Sequence, residues 1–235
     1  MGNDCSEHVQ TEIELKALDK DPIYDTGYHA QRHAHLIAEE EYFWARAEAS
    51  ARLYFSYDER SKRIFEYGCG IGQGIASLPN ASGWDVSTEA RENCRRRNLT
   101  VYDNIDMVPR KAWDIVLCRH VLEHLENPLE HLKIMRELIA ESGELFLVLP
   151  RERHYDSSFA PDLNQHLFCW NFRAINNLLQ RAGLRPTVNR CAYVLGYRVL
   201  LPVRRTLGAS AYYYATLITG YLKRNGELIV RAKVK

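Results

Sequence analysis

A glycine-rich turn directly behind a short apolar stretch constrains this chain more than any other feature. Residues 65–74 read FEYGCGIGQG and carry glycine at positions 68, 70, 72 and 74. Glycine loses more backbone freedom on folding than any other residue, so such a cluster indicates a backbone that needs left-handed conformations or a close approach to a ligand. The acidic residue ahead of the turn, Glu66, stands where a strand would end.

Strand-like and helix-like segments alternate along the chain on either side of this turn. Such alternation predicts an α/β fold, with a doubly wound, mostly parallel, seven-stranded sheet and helices on both faces. The clearest helix begins behind Asn127, with Pro128 in its first position, and closes at Gly143. Helices are also predicted at 74–79, 87–98 and 172–182, and strands at 63–67, 83–86, 99–104, 113–120, 144–150, 184–195 and 226–234.

Two segments lie outside the alternating core. Residues 1–58 are predicted to form an N-terminal tail and a helical lid, because apolar residues recur near helical spacing from about 30 to 56. Tyr24, Tyr28 and Arg32 are the candidates to close over a ligand. The core then spans 59–235, with an apolar, tyrosine-rich helical insertion at 196–224 before the last strand. Three interpretations of the insertion stand: a cover for a substrate pocket, a dimer surface, or a membrane-surface patch for a lipid-linked substrate.

The overall composition of the chain narrows the classes of function. Its 235 residues carry a formal net charge of +1, which gives no global attraction to nucleic acid or acidic lipid. None of the six cysteines forms a C-x-x-C pair, so we expect no metal site and a reducing, cytosolic compartment. The first residues, MGNDCS, match a short myristoylation pattern at Gly2, which occurs often by chance. No apolar run in the sequence approaches the length of a membrane span.

The spacing of the glycines discriminates between classes of ligand. A dinucleotide site needs G-x-G-x-x-G, whose third glycine is missing, and a phosphate loop needs Gly-Lys-Ser/Thr, which does not follow. The pattern present is G-x-G-x-G, formed by Gly68, Gly70 and Gly72. A nucleoside ligand without phosphate but with a cationic amino-acid end would need close backbone approach and nearby carboxylates. Glu66 and Asp85, at the ends of the first two predicted strands, meet that need.

From about residue 60 to 190 the chain resembles the class I S-adenosylmethionine-dependent methyltransferases. The matching stretches, in that family's order and spacing, are IFEYGCGIGQGIASL, GWDVS, AWDIVLCRHVLEHLENPLEHL, GELFLVLP and HLFCWNFRAINNLLQRAGL. The small-molecule members of the family, which act in quinone, sugar and polysaccharide pathways, are the most similar. The resemblance implies a Rossmann-like methyltransferase fold, with S-adenosyl-L-methionine as the cofactor and S-adenosyl-L-homocysteine as its product.

The same resemblance implies which residues hold the cofactor. Glu66 would bind the amino group of the methionine part, and Asp85 would accept hydrogen bonds from both ribose hydroxyls. Asn104 stands where the family often has an acid, and its amide oxygen would contact the adenine amino group. The alternatives are a plain tight turn for the glycines, a helix cap for Asp85 and an ordinary turn residue for Asn104. The remaining implied contacts are Gly68, Cys69, Gly70 and Gly72 with the methionine part, Val86 with adenine, and the backbone of Cys118 and Arg119 with the methionine carboxyl end.

Methyl transfer to a hydroxyl group would also need a proton acceptor, and histidine titrates in the suitable range. Three histidines are candidates: His120 just past the fourth predicted strand, His124 in LEHL, and His166 in NQHLFCW. His166 is favoured because it follows the fifth strand, where the family shapes the acceptor pocket. Structural or solvent-exposed histidines are the alternative, and an amine acceptor would need no base. Arg151 and Arg153, in the polar loop 151–168, could bind a carboxylate or phosphate of the substrate.

These observations favour a cytosolic methyltransferase for a small molecule, with an oxygen of a sugar, a glycan or a quinone-like phenol as the expected acceptor. The alternatives are a nicotinamide-dependent oxidoreductase on a Rossmann-like fold and a catalytically inactive cofactor-binding or scaffold protein. The glycine spacing opposes the first alternative, and the intact pair of Glu66 and Asp85 opposes the second. We expect no nucleic-acid partner, a monomer or a homodimer, and at most a peripheral contact with a membrane.

Overall fold

The computed structural model of the protein describes residues 28–152 and 166–235. Tyr24, Gly2 and Arg153, which the sequence analysis names, lie outside the described residues, as does most of the loop 151–168. The N-terminal part of the described chain forms helices α1 (Tyr28–Arg32), α2 (Ala34–Ala38) and α3 (Glu40–Tyr54). The further elements are β1 (Ile64–Tyr67), β2 (Ala81–Trp84), α4 (Thr88–Arg96), β3 (Trp113–Arg119), α5 (Pro128–Leu138), β4 (Ile139–Pro150), α6 (Phe172–Arg181), β5 (Leu184–Tyr193), α7 (Leu201–Leu222) and β6 (Gly226–Val234), with 3₁₀ helices at Asp58–Ser61 and Ile105–Met107.

The strands form one sheet in the order β2-β1-β3-β4-β6-β5. The first four strands pair in parallel, whereas β6 pairs antiparallel with both β4 and β5. Tyr67, the last residue of β1, lies opposite Trp84 of β2 and Cys118 of β3, so the carboxyl ends of three parallel strands meet at one edge. The predicted α/β fold with a mostly parallel sheet is confirmed, but the sheet has six strands among the described residues rather than seven.

The third predicted strand, 99–104, is reduced to a single β-bridge. Val101 pairs in parallel with Gly83, whose N–H donates to the carbonyl of residue 100 at 3.0 Å and whose carbonyl accepts from Tyr102 N at 2.9 Å. The chain then turns away, because the Asn104 side chain accepts a hydrogen bond from a backbone N–H two residues on, at 2.9 Å, and caps a 3₁₀ helix. The polar residues behind Tyr102 therefore end the pairing before a full strand can form.

The helix predicted at 74–79 is replaced by consecutive turns. The N–H groups of Ile75 and Ala76 both donate to Gly72 O, at 3.2 and 3.0 Å, and Leu78 N donates to Ile75 O at 3.0 Å. These short-range bonds do not propagate into a helix, because left-handed glycines precede them and Pro79 follows directly. The connection from β1 to β2 is therefore a loop built of turns.

Helix α5 begins as predicted with Pro128 in its first turn, but it ends well before Gly143. Asn127 occupies the N-cap position without a side-chain capping hydrogen bond. Ile139 already pairs with Trp113, and Gly143 lies inside β4, where a β-carbon would meet Trp113 O at 2.6 Å. The register between β3 and β4 shifts at this point, so Gly143 permits a close approach of two backbones instead of closing a helix.

Alternate residues along the central strands face opposite layers of helices, as a doubly wound sheet requires. On one face, Val116 of β3 and Leu145 of β4 pack with α5 and α6; on the other face, Leu117 and Phe146 pack with α3. Burying each such side chain contributes about 1.5–3 kcal/mol. The first face also holds Phe65, Tyr67, Leu132, Met135, Ile175 and Leu179, and the second holds Ala51, Tyr54, Ile64, Ile115 and Val148.

The helical insertion before the last strand forms α7, which packs on α3. Tyr212 is buried and its hydroxyl donates to Tyr197 O at 2.9 Å, Tyr213 donates to a carbonyl of α3, and Tyr214 is exposed. Gly208, with a φ of 85°, breaks α7 into two helical parts. Among the described helices, none has the length and apolar character to cross a membrane. The three interpretations of the insertion stay predictions.

A buried histidine on α5 makes the fold sensitive to acid. His131 Nδ1 shares a hydrogen bond with the Tyr67 hydroxyl at 2.7 Å, and burial lowers the pKa of His131 to about 4. In the unfolded chain a histidine titrates near a pKa of about 6.5, so between these two values the unfolded state binds more protons and stability falls as the pH falls. We expect His131 to account for a loss of about 2 kcal/mol between pH 7.5 and pH 5, measured by urea unfolding.

The variant His131→Gln should show a shallower dependence of stability on pH over this range, whatever its stability at pH 7.5. The matched control is His35→Gln, which changes an exposed histidine of α2 and should keep the wild-type slope. Equal slopes for the wild type and His131→Gln would contradict this assignment.

Candidate functional site

The loop behind β1 contains three glycines in the left-handed conformation. Gly68, Gly70 and Gly72 have φ values of 71°, 53° and 87°, a region that residues with side chains rarely adopt. A β-carbon at Gly68 would lie 2.4 Å from Val121 Cγ2, and one at Gly72 would lie 2.4 Å from Leu99 Cδ1. Both positions therefore need glycine for the backbone conformation and for the space. The turn that the glycine cluster predicted is present.

Asp85 ties this loop to the end of β2. Its Oδ2 accepts from Gly70 N at 2.7 Å, and its Oδ1 accepts from Ser87 N at 2.9 Å. Burial alone would raise the pKa of Asp85, but the attraction of His29 and the two backbone N–H groups outweigh it and lower the pKa. Carboxylate oxygens accept more than one hydrogen bond each, so Asp85 can still accept from hydroxyl groups. Ser87 caps α4, with its Oγ accepting from Ala90 N, so Asp85 is not the cap of that helix.

Glu66 lies fully buried beneath the loop. Arg119 Nε, at the end of β3, donates to Glu66 Oε1 at 3.2 Å, and Oε2 has no hydrogen-bond partner in the described part of the chain. A β-carbon at Gly74 would lie 2.2 Å from Oε2, so Gly74 leaves the room that the carboxylate occupies. Burial raises the pKa of Glu66 in spite of the nearby guanidinium. The contact of Glu66 with a ligand amino group stays a prediction, and Oε2 is the atom with the free capacity for it.

The other residues predicted to hold the cofactor lie around this loop or beyond it. Cys69 is buried in the loop, and its N–H donates to Trp84 O at 2.9 Å, while Cys118 is buried at the end of β3. The amide oxygen of Asn104 already accepts the hydrogen bond that caps the 3₁₀ helix, which is the turn role weighed as its alternative. Val86 is half-buried behind Asp85. The structure thus gathers Gly68, Cys69, Gly70, Gly72, Asp85, Cys118 and Arg119 at one sheet edge.

A histidine that the sequence analysis does not single out covers this loop. His29 of α1 is 6% exposed; its Nε2 lies 3.7 Å from Asp85 Oδ1, and its Cε1 lies 3.5 Å from the β-carbon position of Gly70. Tyr28 packs edge-on against His29 with 5.2 Å between ring centroids, whereas Arg32 is exposed. Nothing in the local sequence distinguishes His29 from the neighbouring histidines, so its role follows only from the tertiary structure.

The first of the three predicted catalytic histidines lies between two carboxylates. His120 follows β3 with a φ of 53°; its Nε2 is 2.9 Å from Glu227 Oε1, and its Nδ1 is 3.5 Å from Glu123 Oε1. Burial favours the neutral ring, but solvent still reaches 39% of the side chain, and the two glutamates outweigh burial and raise the pKa of His120 to about 9. His120 is therefore protonated at neutral pH and cannot accept a proton there.

The other two predicted histidines meet Glu123 in a group that we call the histidine cluster (Glu123, His124 and His166). Leu167 N and Phe168 N donate to Glu123 O at 2.8 and 3.2 Å, and these bonds hold the segment behind β4 against the segment behind β3. The ring centroids of His124 and His166 are 4.7 Å apart. One ligand-type atom from each of the three residues lies within 4.8 Å of the others. The sequence names both histidines separately, but their meeting depends on the tertiary packing of segments more than 40 residues apart.

Two further residues, Glu152 and Cys169, surround His166 and were missed by the sequence analysis. His166 Nδ1 is hydrogen-bonded to Glu152 Oε1, and Cys169 Sγ donates to Glu152 Oε2 at 2.7 Å. When Nδ1 carries the proton in this bond, Nε2 carries the lone pair and can accept a proton or bind a cation. Arg151, a predicted substrate-binding residue, instead donates to the Tyr193 hydroxyl at 3.0 Å.

Sequence comparison places the chain among known domains. The family model described as a methyltransferase domain matches residues 33–188, which is more than half of the chain. No curated protein sequence matches the chain. The matched range includes the glycine loop, Asp85 and the histidine cluster.

Solved structures share the fold at low sequence identity. A protein of Thermotoga maritima, named as a possible histamine N-methyltransferase, is 15% identical with a TM-score of 0.59, and the match covers 91% of this chain and 98% of that one. Magnesium protoporphyrin IX methyltransferase from Synechocystis, with bound S-adenosylhomocysteine, is 14% identical with a TM-score of 0.56 and coverages of 94% and 100%. The 1,6-didemethyltoxoflavin-N1-methyltransferase of Burkholderia thailandensis is 14% identical with a TM-score of 0.54 and coverages of 100% and 93%. At these identities the likeness establishes the fold alone.

Replacing Gly68 by alanine should destabilise the protein for two separable reasons. The new residue must hold a φ of 71°, which costs about 1–2 kcal/mol, and its β-carbon meets Val121, where overpacking costs about 1–3 kcal/mol. We therefore expect Gly68→Ala to lower the free energy of unfolding by about 2–5 kcal/mol in urea titrations.

Gly70→Ala is the matched control, because Gly70 also has a positive φ, 53°, and its β-carbon position meets the His29 ring only at an ordinary contact distance of 3.5 Å. The backbone cost dominates there. In a Val121→Ala background, the cost of Gly68→Ala should fall to that of Gly70→Ala. Equal costs for the two glycine substitutions in the wild-type background would show that Val121 does not restrict the loop.

Proposed function

This chain belongs to the class I S-adenosylmethionine-dependent methyltransferases, and we propose that it methylates an oxygen atom of a small molecule, either a sugar or glycan or a quinone-like phenol. Its cofactor is S-adenosyl-L-methionine, and S-adenosyl-L-homocysteine is the product. One observation carries the proposal: the glycine loop held by Asp85 and the histidine cluster lie behind neighbouring strands, at the same edge of the sheet.

The described residues fit this cofactor. The left-handed glycines leave bare backbone where the methionine part would lie, and Asp85 keeps acceptor capacity for ribose hydroxyls next to them. Glu66 Oε2, buried and without a hydrogen-bond partner among the described residues, can accept from the amino group. By resemblance, we assign the methionine part to Gly68, Cys69, Gly70 and Gly72, its carboxyl end to the backbone of Cys118 and Arg119, and adenine to Val86 and Asn104.

The first helix has to move when the cofactor enters. The His29 ring lies against the Gly70 position and 3.7 Å from Asp85, so a ribose that donates to Asp85 displaces this ring. In the proposed cycle, α1 shifts outward to admit the cofactor and returns over it as the lid. Closure then excludes water from the reacting methyl group, which prevents its loss to hydrolysis.

The main catalytic task of this chain is to hold donor and acceptor in line. When bound, the cofactor supplies an electrophilic methyl group on a positively charged sulfur. Positioning two reactants in this way can supply about 7–11 kcal/mol of the barrier reduction. The glycine loop and Asp85 fix the donor side, and the segments behind β3 and β4 fix the acceptor side. The buried pair of Glu66 and Arg119 joins β1 to β3, so both sides belong to one rigid frame.

An oxygen acceptor must also lose a proton, and the histidine cluster is placed to assist that loss. His120 cannot take the proton, since its pKa is raised to about 9 by two glutamates. His166 keeps a lone pair on Nε2 when its Nδ1 donates to Glu152, and His124 lies beside it. This concentration of histidine and glutamate supports an oxygen acceptor over an amine, because an amine can lose its proton to water without such assistance.

The comparisons give no support to a nicotinamide-dependent oxidoreductase, and the loop lacks the glycine spacing of a dinucleotide site. An inactive scaffold is opposed by the intact contact between Gly70 and Asp85. The names of the solved structures refer to histamine (as a possible substrate), to 1,6-didemethyltoxoflavin and to magnesium protoporphyrin IX, so they support small-molecule acceptors as a class and favour none of them. We expect no nucleic-acid partner and a monomer or homodimer in the cytosol.

Asp85→Asn should weaken the binding of S-adenosyl-L-homocysteine. The amide removes the charge and one of the two acceptor atoms, so a ribose hydroxyl loses its partner. The expected cost is about 1–3 kcal/mol, which corresponds to a rise in Kd of about 5- to 150-fold. Isothermal titration calorimetry on the wild type and the variant measures the difference.

Asp106→Asn is the matched control, since it changes an exposed carboxylate and should leave the Kd unchanged. Melting curves without ligand check that both variants fold, because Asp85 also holds Gly70. An unchanged Kd in a folded Asp85→Asn variant would contradict the assignment of Asp85. Tighter binding of NAD than of S-adenosyl-L-homocysteine by the wild type would contradict the proposed function itself.

A further inference from the structure

Three side chains of metal-ligand type converge beside the proposed acceptor position. Glu123 and His124 follow β3, His166 follows β4, and one ligand-type atom of each lies within 4.8 Å of the others. His124 Nε2 is 3.9 Å from Glu123 Oε1. Ligand atoms around a tetrahedral Zn²⁺ at about 2.0–2.1 Å lie about 3.3 Å apart, so an ion can bind after side-chain shifts of about 1 Å.

The carboxylate of Glu123 lacks the partners that a buried charge needs. Its side chain is 0% exposed, and neither oxygen has a hydrogen-bond partner among the described residues. His120 Nδ1 lies 3.5 Å from Glu123 Oε1, and the other nitrogen of that ring lies 2.9 Å from Glu227 Oε1. An ionised carboxylate buried without hydrogen bonds is costly unless a cation compensates it. Glu123 therefore shares one neighbouring histidine, His120, with Glu227, and both of its oxygens lie without hydrogen bonds from the described residues beside the rings of His124 and His166.

His166 is already oriented as metal-bound histidines usually are. Its Nδ1 is hydrogen-bonded to the carboxylate of Glu152, which leaves Nε2 as the atom with the lone pair. Metal-ligating histidines almost always donate their other ring N–H to a carboxylate, a carbonyl or a water, and this contact fixes the ring and raises its basicity. Cys169 Sγ in turn donates to Glu152, so the supporting carboxylate has a partner of its own.

We propose that Glu123, His124 and His166 bind a divalent transition-metal ion, with Zn²⁺ as the expected occupant. Two imidazoles and one carboxylate suit such ions, whereas Mg²⁺ and Ca²⁺ prefer sets of oxygen ligands. Three protein ligands leave a fourth position free for water or for an oxygen of the acceptor. The expectation of no metal rested on the absence of C-x-x-C pairs, which this set of ligands does not need.

The role of the ion in catalysis rests on the proposed function. An acceptor hydroxyl bound at the open position has a lowered pKa, and its proton passes to water. An oxygen lone pair then forms the bond to the methyl carbon while the carbon–sulfur bond breaks. The electron pair of that bond neutralises the sulfonium, which gives the methyl ether and S-adenosyl-L-homocysteine. In this scheme His166 is a metal ligand, and the base predicted for the reaction is not required.

Metal binding by the full chain tests the proposal without any acceptor. The protein is dialysed against a chelator, transferred to chelator-free buffer and titrated with ZnCl₂ by calorimetry, and with Co²⁺ by visible absorption, which is strong for tetrahedral sites. We expect one equivalent of Zn²⁺ per chain. Removing a contact that supports a metal ligand typically lowers the metal affinity by about 10–100-fold. His166→Gln and His124→Gln remove the ligands themselves, so each should lower the affinity for Zn²⁺ by about 100-fold or more.

His35→Gln is the matched control, because it removes an exposed histidine of α2 and should keep the wild-type affinity. Glu123→Gln tests the buried carboxylate and should also lose the ion. If Glu123→Gln fails to fold, the two histidine variants carry the test, with melting curves to confirm that they are folded. Absence of a stoichiometric site in the wild type, or wild-type affinity in folded His166→Gln and His124→Gln, would overturn the proposal.

Titration with S-adenosyl-L-homocysteine separates this proposal from the proposed function. We expect the chelator-treated protein to bind it within about twofold of the Kd of the zinc-loaded protein, because the glycine loop and Asp85 do not include the metal ligands. Cofactor binding without a metal site would overturn the metal proposal alone. A metal site without cofactor binding would support the metal proposal and contradict the methyltransferase function.

Discussion

The hydrogen bond from Gly70 N to the Asp85 carboxylate is the contact on which the ligand end of this protein depends. It joins the loop behind β1 to the residue behind β2, and each partner needs the other. A left-handed glycine directs its N–H toward the carboxylate, and a buried carboxylate without donors would cost several kcal/mol. Ser87 N supplies the second donor, and His29 supplies a nearby nitrogen. The backbone of the loop and Asp85 is therefore ordered before any ligand arrives, so binding requires the His29 ring to move but does not require the loop to become ordered.

Arg119 at the end of β3 and His120 directly behind it connect this edge to the proposed acceptor side. Arg119 pairs with Glu66 beneath the glycine loop, whereas His120 lies between Glu123 and Glu227. Arg119 is the last residue of β3, and the chain turns at His120, whose φ is 53°, so these neighbours in sequence belong to two separate carboxylate groups. Movement at the end of β3 would disturb both groups together. The glycine loop and the proposed acceptor side are thus coupled through the backbone rather than through a chain of side-chain contacts.

Short sequence motifs predicted those parts of the structure whose conformation depends mainly on neighbouring residues in the chain. The glycine spacing and the acids at strand ends identified the loop and Asp85, and continuous apolar runs identified the buried parallel strands. The helix at 74–79 and the closure at Gly143 were wrong, because left-handed turns and a register shift between backbones override helical composition there. The contacts of His29 and Glu123 could not be predicted, since each depends on which distant segment packs against it. The sequence identified candidate site residues, but it could not predict which of them lie in contact in the folded protein.

The placement of β6 has a consequence for how the enzyme is made. This strand runs antiparallel between β4 and β5, and its second residue, Glu227, accepts one hydrogen bond from the Tyr54 hydroxyl of α3 and pairs with His120 behind β3. During translation the four parallel strands leave the ribosome first and can begin to associate. The carboxylate pair around His120 stays incomplete until residue 227 has emerged. A nascent chain can therefore form the contact between Gly70 and Asp85 well before His120 lies between its two glutamates.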